Sequence, residues 1–378
     1  MKAVTLARLE GKVRPLVTSW LPSHFVVDHY SRGRLRFLNK LKDEAGSVKS
    51  VDVPAGLEKM LWGLKFRSPL MNAAGMDKNG ELYDLFARQG AGGYIAGTTT
   101  SQSRKGNSKE GIYLPFVPLP RSRAALNWLG LPNKGHYLVA DNLEKIVRVE
   151  GCPVGASVME SPDDLEKDKL AHLVKGMRFY EKKGVDFLEV NVSCPNTSSG
   201  PVKESALYLT LSYIKEHFLD SRSLKGRKRA VPVVVKFSND LYLFEVKGLM
   251  DQLFELGFDG VNFGNTAKNY DTFNDKIARK EKKLFDYFTH TFGGGLSGQP
   301  LRSQSLGLCR EAVRYLKAGA PSQEFHVIRT GGISSAYDIK ESEEVGVSLN
   351  QWFTRYFERF AENGHGLYGE LYKDLRKI

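Results

Sequence analysis

Cysteine is scarce: Cys152, Cys194 and Cys309 are the whole complement of 378 residues, far apart and with no CxxC pair. That pattern excludes a disulfide framework and a thiolate zinc site, and it fits a reducing compartment. The eight histidines (His24, His29, His136, His172, His217, His290, His326 and His365) show no ligand-like spacing, so no metal is expected. No apolar run approaches the ~20 residues that span a bilayer, and the N-terminus carries no secretory h-region. A GxxxxGK[ST] phosphate loop is also missing, which argues against P-loop nucleotide chemistry.

What is present describes an ordinary globule, 41% hydrophobic and 26% charged, with a net charge of +12. The charge is uneven. Residues 1–42 hold nine bases (Lys2, Arg8, Lys12, Arg14, Arg32, Arg34, Arg36, Lys40 and Lys42) against Glu10 and Asp28. Such a segment can face anionic lipid or nucleic acid, or can simply be a solvated surface. Val13, Leu16, Val17, Trp20 and Leu21 recur at helical spacing before Pro22-Ser23 interrupts. Phe25, Val26, Tyr30, Phe37, Leu38 and Leu41 predict a second helix, weakened at Gly33. This stripe suits a peripheral membrane element, and equally suits packing on the main domain. Lys42 to Ser50 reads as a polar linker, dividing the chain into a helical extension, 1–50, and a main domain, 51–378.

From residue 51 the chain repeats strand, polar loop and helix. Candidate strands end at Asn72-Ala73, Ala96-Gly97, Ala156-Ser157, Val190, Lys236-Phe237, Asn262-Phe263, Ile328-Arg329 and Gln351-Trp352. Helical patterns include Glu81–Gln89, Asp163–Lys183, Ala206–Leu219, Leu241–Leu256 and Gln304–Ala318. Eight such units predict the α/β class, a (β/α)8 TIM barrel with a small N-terminal helical extension. Two longer connections, Thr99–Pro153 and Thr266–Pro300, are expected to cover an active site.

Polar residues collect at the strand ends, where barrels bind ligands. The fourth strand runs into Asn191-Val192-Ser193-Cys194-Pro195-Asn196-Thr197, and Pro195 cannot continue a ladder. Lys236 closes the apolar run from Val231. Thr330-Gly331-Gly332-Ile333 follows strand seven, a position where backbone N–H groups hold phosphate. A phosphate cradle, an inward lysine and a Cys flanked by amides together ask for a phosphorylated redox cofactor.

These residues resemble dihydroorotate dehydrogenases over about residues 56–360. The resemblance rests on Asn72-Ala73-Ala74-Gly75-Met76-Asp77-Lys78-Asn79-Gly80, Asn127-Trp128-Leu129-Gly130-Leu131, the Asn191–Thr197 stretch, Gly294-Gly295-Leu296-Ser297-Gly298 and Thr330-Gly331-Gly332-Ile333. It implies FMN over the barrel mouth, held by Ala74, Gly75, Lys78, Thr98, Ser157, Asn191, Lys236, Gly264, Gly298, Gly332, Phe353 and Thr354. It also implies dihydroorotate or orotate bound by Lys78, Asn127, Gly130, Leu131, Asn191, Asn196, Asn265 and Thr266, with Cys194 as catalytic base. Quinone-using members of the family typically carry Ser at the base position and an N-terminal helical extension. This chain joins the extension to a Cys, and has Ser157 and Phe353 where that group usually has Asn and Tyr. The extension favours a quinone acceptor and a peripheral place on the cytoplasmic side of a membrane; the alternative is a soluble cytoplasmic enzyme using fumarate or NAD. A tRNA-dihydrouridine synthase is the rival flavin barrel, but no RNA-gripping C-terminal domain is evident, so no nucleic acid partner is expected. A third reading is a flavin-binding protein without this catalysis.

Overall fold

The computed structural model describes residues 1–193, 204–222, 224, 230–319 and 323–378. Two helices open the chain, α1 (Ala3–Trp20) and α2 (Ser23–Glu44). They form an antiparallel pair, because the Ala3 N–H donates to Glu44 Oε1 at 2.8 Å, and Tyr30 Oη donates to Glu10 Oε1 at 2.9 Å. The helix runs through Gly33, where an added Cβ would meet open space. The expected linker from Lys42 is corrected: α2 persists to Glu44 and a 3-10 turn follows at Ala45–Ser47. Burial of Leu41, Ala45 and Val48 carries the helical path past the polar letters.

The apolar stripe divides. Val26, Val27, Tyr30 and Leu41 are buried, and Phe37 meets Phe357 and Phe360 edge-on. Leu9, Val13, Leu16, Trp20, Leu21 and Phe25 stay exposed, with Trp20 76% accessible. Helix α1 instead turns its small residues inward, so that a Cβ on Gly11 would lie 3.6 Å from Ala361. Among the described residues no helix is long and apolar enough to cross a membrane.

Eight parallel strands form one sheet: β1 (Leu70–Asn72), β2 (Tyr94–Thr99), β3 (Val154–Val158), β4 (Phe187–Asn191), β5 (Val233–Ser238), β6 (Gly260–Asn265), β7 (His326–Thr330) and β8 (Leu349–Trp352). Their spatial order is β1-β8-β7-β6-β5-β4-β3-β2. The seam between β1 and β2 is closed by a side chain. Asn72 Nδ2 donates to Ile95 O at 2.8 Å, and the Ile95 N–H donates to Asn72 Oδ1 at 3.2 Å. A carboxamide thus stands in for a backbone ladder. The fold is a (β/α)8 barrel with N-terminal helices.

Helices α3 (Tyr83–Gln89), α4 (His136–Glu144), α5 (Lys169–Lys182), α6 (Glu204–His217), α7 (Glu245–Glu255), α8 (Lys282–Thr291), α9 (Arg302–Ala318), α10 (Ala336–Val345), α11 (Thr354–Asn363) and α12 (Leu367–Leu375) complete the chain. Three begin later than their patterns suggest: α3 at Tyr83, α5 at Lys169 and α7 at Glu245. Polar residues ahead of them enter turns; the Tyr242 N–H, for example, donates to Glu245 Oε2 at 2.6 Å. The two long connections meet in one three-stranded antiparallel sheet, in which 124–127 lies between 116–119 and 295–298. That sheet covers the carboxyl ends of the barrel strands.

Candidate active site

The β1 loop is built around one buried carboxylate. Asp77 accepts the N–H groups of Asn79 at 3.1 Å, Gly80 at 3.0 Å and Leu82 at 2.6 Å, and also the Tyr94 hydroxyl. Burial pushes its pKa above the usual value, opposed by the Tyr94 and backbone hydrogen bonds. This holds Gly75 and Lys78 at the mouth, and Gly75, at φ 98°, uses backbone space that other residues rarely enter.

The mouth holds a cleft of about 1140 Å³, open solvent at its entrance included. Its walls include Ala74, Gly75, Lys78, Thr98, Asn127, Leu131, Asn191, Lys236, Gly264, Asn265, Thr266, Gly298, Gly332, Phe353 and Thr354. Fifteen of the residues singled out in the sequence therefore converge. Ser157 stands behind the wall, its Oγ 3.0 Å from Thr98 Oγ1, and Gly130 lies outside the lining, its carbonyl accepting from Arg104 Nε at 3.1 Å. Cys194 and Asn196 lie outside the described residues. Arg123, Asn239, Ser297, Gln299 and Gln351 also line the cleft, and the sequence assigns none of them a site role. A usable signal existed for Ser297, the neighbour of Gly298, and for Gln351, a polar residue in an apolar strand.

Amides are chained along one side. Asn191 Nδ2 donates to Thr98 Oγ1 at 3.2 Å, and Asn265 Nδ2 donates to Asn191 Oδ1 at 3.1 Å. Asn265 Nδ2 also reaches Ser193 O at 3.0 Å. At the floor, Lys236 is only 3% exposed, and its ammonium lies 3.4 Å from Glu189 Oε1 and 3.3 Å from Gln351 Oε1.

Across the cleft, Gly331 and Gly332 lead from β7 and α11 begins at Thr354. A helix's first N–H groups have no partner within the helix and favour an anion. Ser297 Oγ lies 2.9 Å from Thr354 Oγ1. The glycine turn is buttressed by Ser305, whose hydroxyl donates to Gly331 O at 2.7 Å. Two amide oxygens in the lining, Asn239 Oδ1 and Gln299 Oε1, are buried without a hydrogen-bond partner. Such atoms mark places where a ligand or water completes the bonding.

The fold and this cleft define a (β/α)8 enzyme whose mouth gathers glycine turns, carboxamides and a buried lysine around one cleft. The family model described as Dihydroorotate dehydrogenase matches residues 56–363. The chain is 30% identical to the dihydroorotate dehydrogenase (quinone) of Parvibaculum lavamentivorans, over 84% of this chain and 82% of that one. To the enzyme of the same description from Deinococcus deserti it is 26% identical, over 93% and 90%. Its fold is shared with DHODH from Eimeria tenella: the ferulenol complex gives a TM-score of 0.72 at 21% identity over 90% of each chain. The ligand-free form gives 0.73 at 23% identity, over 90% of this chain and 93% of that one. The chain belongs to the dihydroorotate dehydrogenase family, and the tRNA-dihydrouridine synthase reading is set aside.

Proposed function

We propose that this chain oxidises dihydroorotate to orotate in pyrimidine biosynthesis, with FMN in the barrel mouth and a quinone as the final acceptor. The observation that carries the reading is the convergence of a buried ammonium, a glycine cradle and a chain of carboxamides on one cleft. The donor set suits FMN. Gly298, Gly332 and Thr354 would hold its phosphate, and Lys236 would face the pyrimidine edge of the ring, where a cation stabilises the reduced form. Ala74, Gly75, Thr98, Gly264 and Phe353 would bound the ring, with Ser157 acting through Thr98. When bound, FMN supplies the acceptor for the hydride that leaves C6 of the substrate.

The chain's own residues do the rest. Asn127, Asn191, Asn196 and Asn265 can donate to the ring carbonyls and accept from its N–H groups. Thr266, Gly130 and Leu131 would close around the ring, and Lys78 would pair with the substrate carboxylate. The Cys194 thiolate takes the proton from C5 as the C6 hydride departs, so both electrons of the C6–H bond leave the substrate. A free thiol ionises at about 8.5, so turnover rises with pH toward that value.

The quinone acceptor is supported by the names of the relatives. The exposed face of α1, where Leu9, Val13, Leu16 and Trp20 neighbour exposed Arg8 and Lys12, suits a peripheral seat on the cytoplasmic side of a membrane. The extension, 1–50, would then be the membrane-facing unit and 51–378 the catalytic one.

Anaerobic dihydroorotate should bleach the flavin of the purified enzyme, and a short-chain quinone should restore its colour. Absence of bleaching overturns the substrate. Reoxidation by fumarate or NAD with no response to quinone overturns the acceptor, and full activity in Cys194→Ala overturns the base.

A further inference from the structure

One buried carboxylate has no part in this chemistry. Glu189 precedes Asn191 by two residues on β4, so both side chains share the inward face and Glu189 lies one layer deeper. It is 1% exposed and lies outside the cleft lining. Its Oε2 accepts from Asn262 Nδ2 at 2.7 Å and from Gln351 Nε2 at 3.2 Å. Its Oε1 faces Lys236 Nζ at 3.4 Å. Gln351 Oε1 accepts from the same ammonium at 3.3 Å, from Asn262 Nδ2 at 3.1 Å and from Thr330 Oγ1 at 3.0 Å. Lys236 is therefore held from beneath by one anion and one amide, with its head at the cleft floor. The assembly spans β4, β5, β6, β7 and β8.

We infer that Glu189 is a positioning residue that sets how much positive charge Lys236 presents to the cleft, and through it the reduction potential of the bound flavin. The inference rests on the proposed placement of FMN beside Lys236. A carboxylate directly behind the ammonium, in an interior that screens charge poorly, offsets its attraction for an anionic ring. Replacing a desolvated ion pair by well-packed apolar groups of similar volume is often neutral or stabilising, so packing alone does not call for a carboxylate at this point.

Glu189→Gln can keep an amide oxygen toward Asn262 and Gln351, but then its own amide N–H groups face the ammonium. Lys236 loses its counter-charge and its field falls on the ring above. In the holoenzyme, binding of reduced over oxidised FMN should strengthen at least tenfold, a rise of about 30 mV for a two-electron couple. Anaerobic titration against a reference dye reads this directly, and Glu189→Asp, which keeps the charge, should return most of the shift. An unchanged potential in Glu189→Gln, beside a potential that moves in Lys236→Met, overturns the role given to Glu189. A potential unmoved in Lys236→Met, or no FMN in the purified chain, instead overturns the flavin placement, and the inference falls with it. Should Glu189→Gln fail to fold, Gln351→Glu, which sets a second carboxylate against the same ammonium, is compared with wild type. The added counter-charge should lower the potential, and no difference overturns the screening of Lys236 from beneath.

Discussion

Lowering the pH from 7.5 to 5.0 should destabilise this protein through one histidine. His136 opens α4 inside the first long connection and is 1% exposed. Its Nδ1 lies 2.9 Å from Thr99 Oγ1, its ring meets Tyr180 edge-on, and its Nε2 is buried without a partner. Gly176 leaves no room for it to withdraw, since a Cβ there would lie 2.2 Å from His136 Cδ2. Burial depresses its pKa from 6.5 to about 3, with Asp164 opposing and His172 adding to the fall. A folded pKa below the unfolded one gives stability that is complete above 6.5 and is lost as the pH falls toward 3. At pH 5.0 the unfolded chain has taken up the proton and the folded chain has not, a difference of about 2 kcal/mol. Urea unfolding of wild type and His136→Asn at both pH values isolates this group, because the other titrating residues cancel between them. The variant should start less stable by about 1–3 kcal/mol from the altered packing, yet lose about 2 kcal/mol less on acidification. Equal losses in the two proteins would refute the reasoning.

Asp77→Asn leaves at least one N–H of the Lys78 loop without an acceptor and should cost roughly 2–4 kcal/mol in urea unfolding, with weaker orotate binding by calorimetry; a change under 1 kcal/mol contradicts the keystone role. Gly332→Ala sets a Cβ 2.5 Å from Arg302 Cα at φ 74°; purified protein should carry little flavin, and a normal absorbance ratio at 450 nm would count against the cradle. Leu16→Asp/Trp20→Asp changes two exposed side chains; co-sedimentation with anionic vesicles should fall at least about fivefold at unchanged melting temperature, since each large apolar side chain is worth about 1.5–3 kcal/mol when buried. Equal sedimentation removes α1 as the membrane face.

Much of the site was legible because strand ends are local events. The run Val231 to Val235 reads as a buried strand by itself, and a polar residue at its close, Lys236, marks the rim. Glycine pairs such as Gly331-Gly332 announce a backbone shape by their lack of a side chain. The departures came where distant segments meet. Ser157 follows strand three as expected, but whether it or Thr98 faces the cleft depends on the register between β2 and β3, which shifts between Ala96 and Thr99. The polar letters after Lys42 carried no sign that Ala45 and Val48 would be covered.

The sequence by itself determined the number of barrel strands, their order with the barrel helices, and the loops able to approach an anion, because each is written in periodicity and turn chemistry within a few residues. Only the tertiary structure decided that Asn72 closes the barrel against Ile95, that 116–119, 124–127 and 295–298 become one lid, and that α1 turns Ala3 and Ala7 inward while Trp20 faces solvent. It also set Glu189 beneath Lys236. Each of these is a contact between residues far apart along the chain, and its partner is named by packing and register rather than by either segment alone.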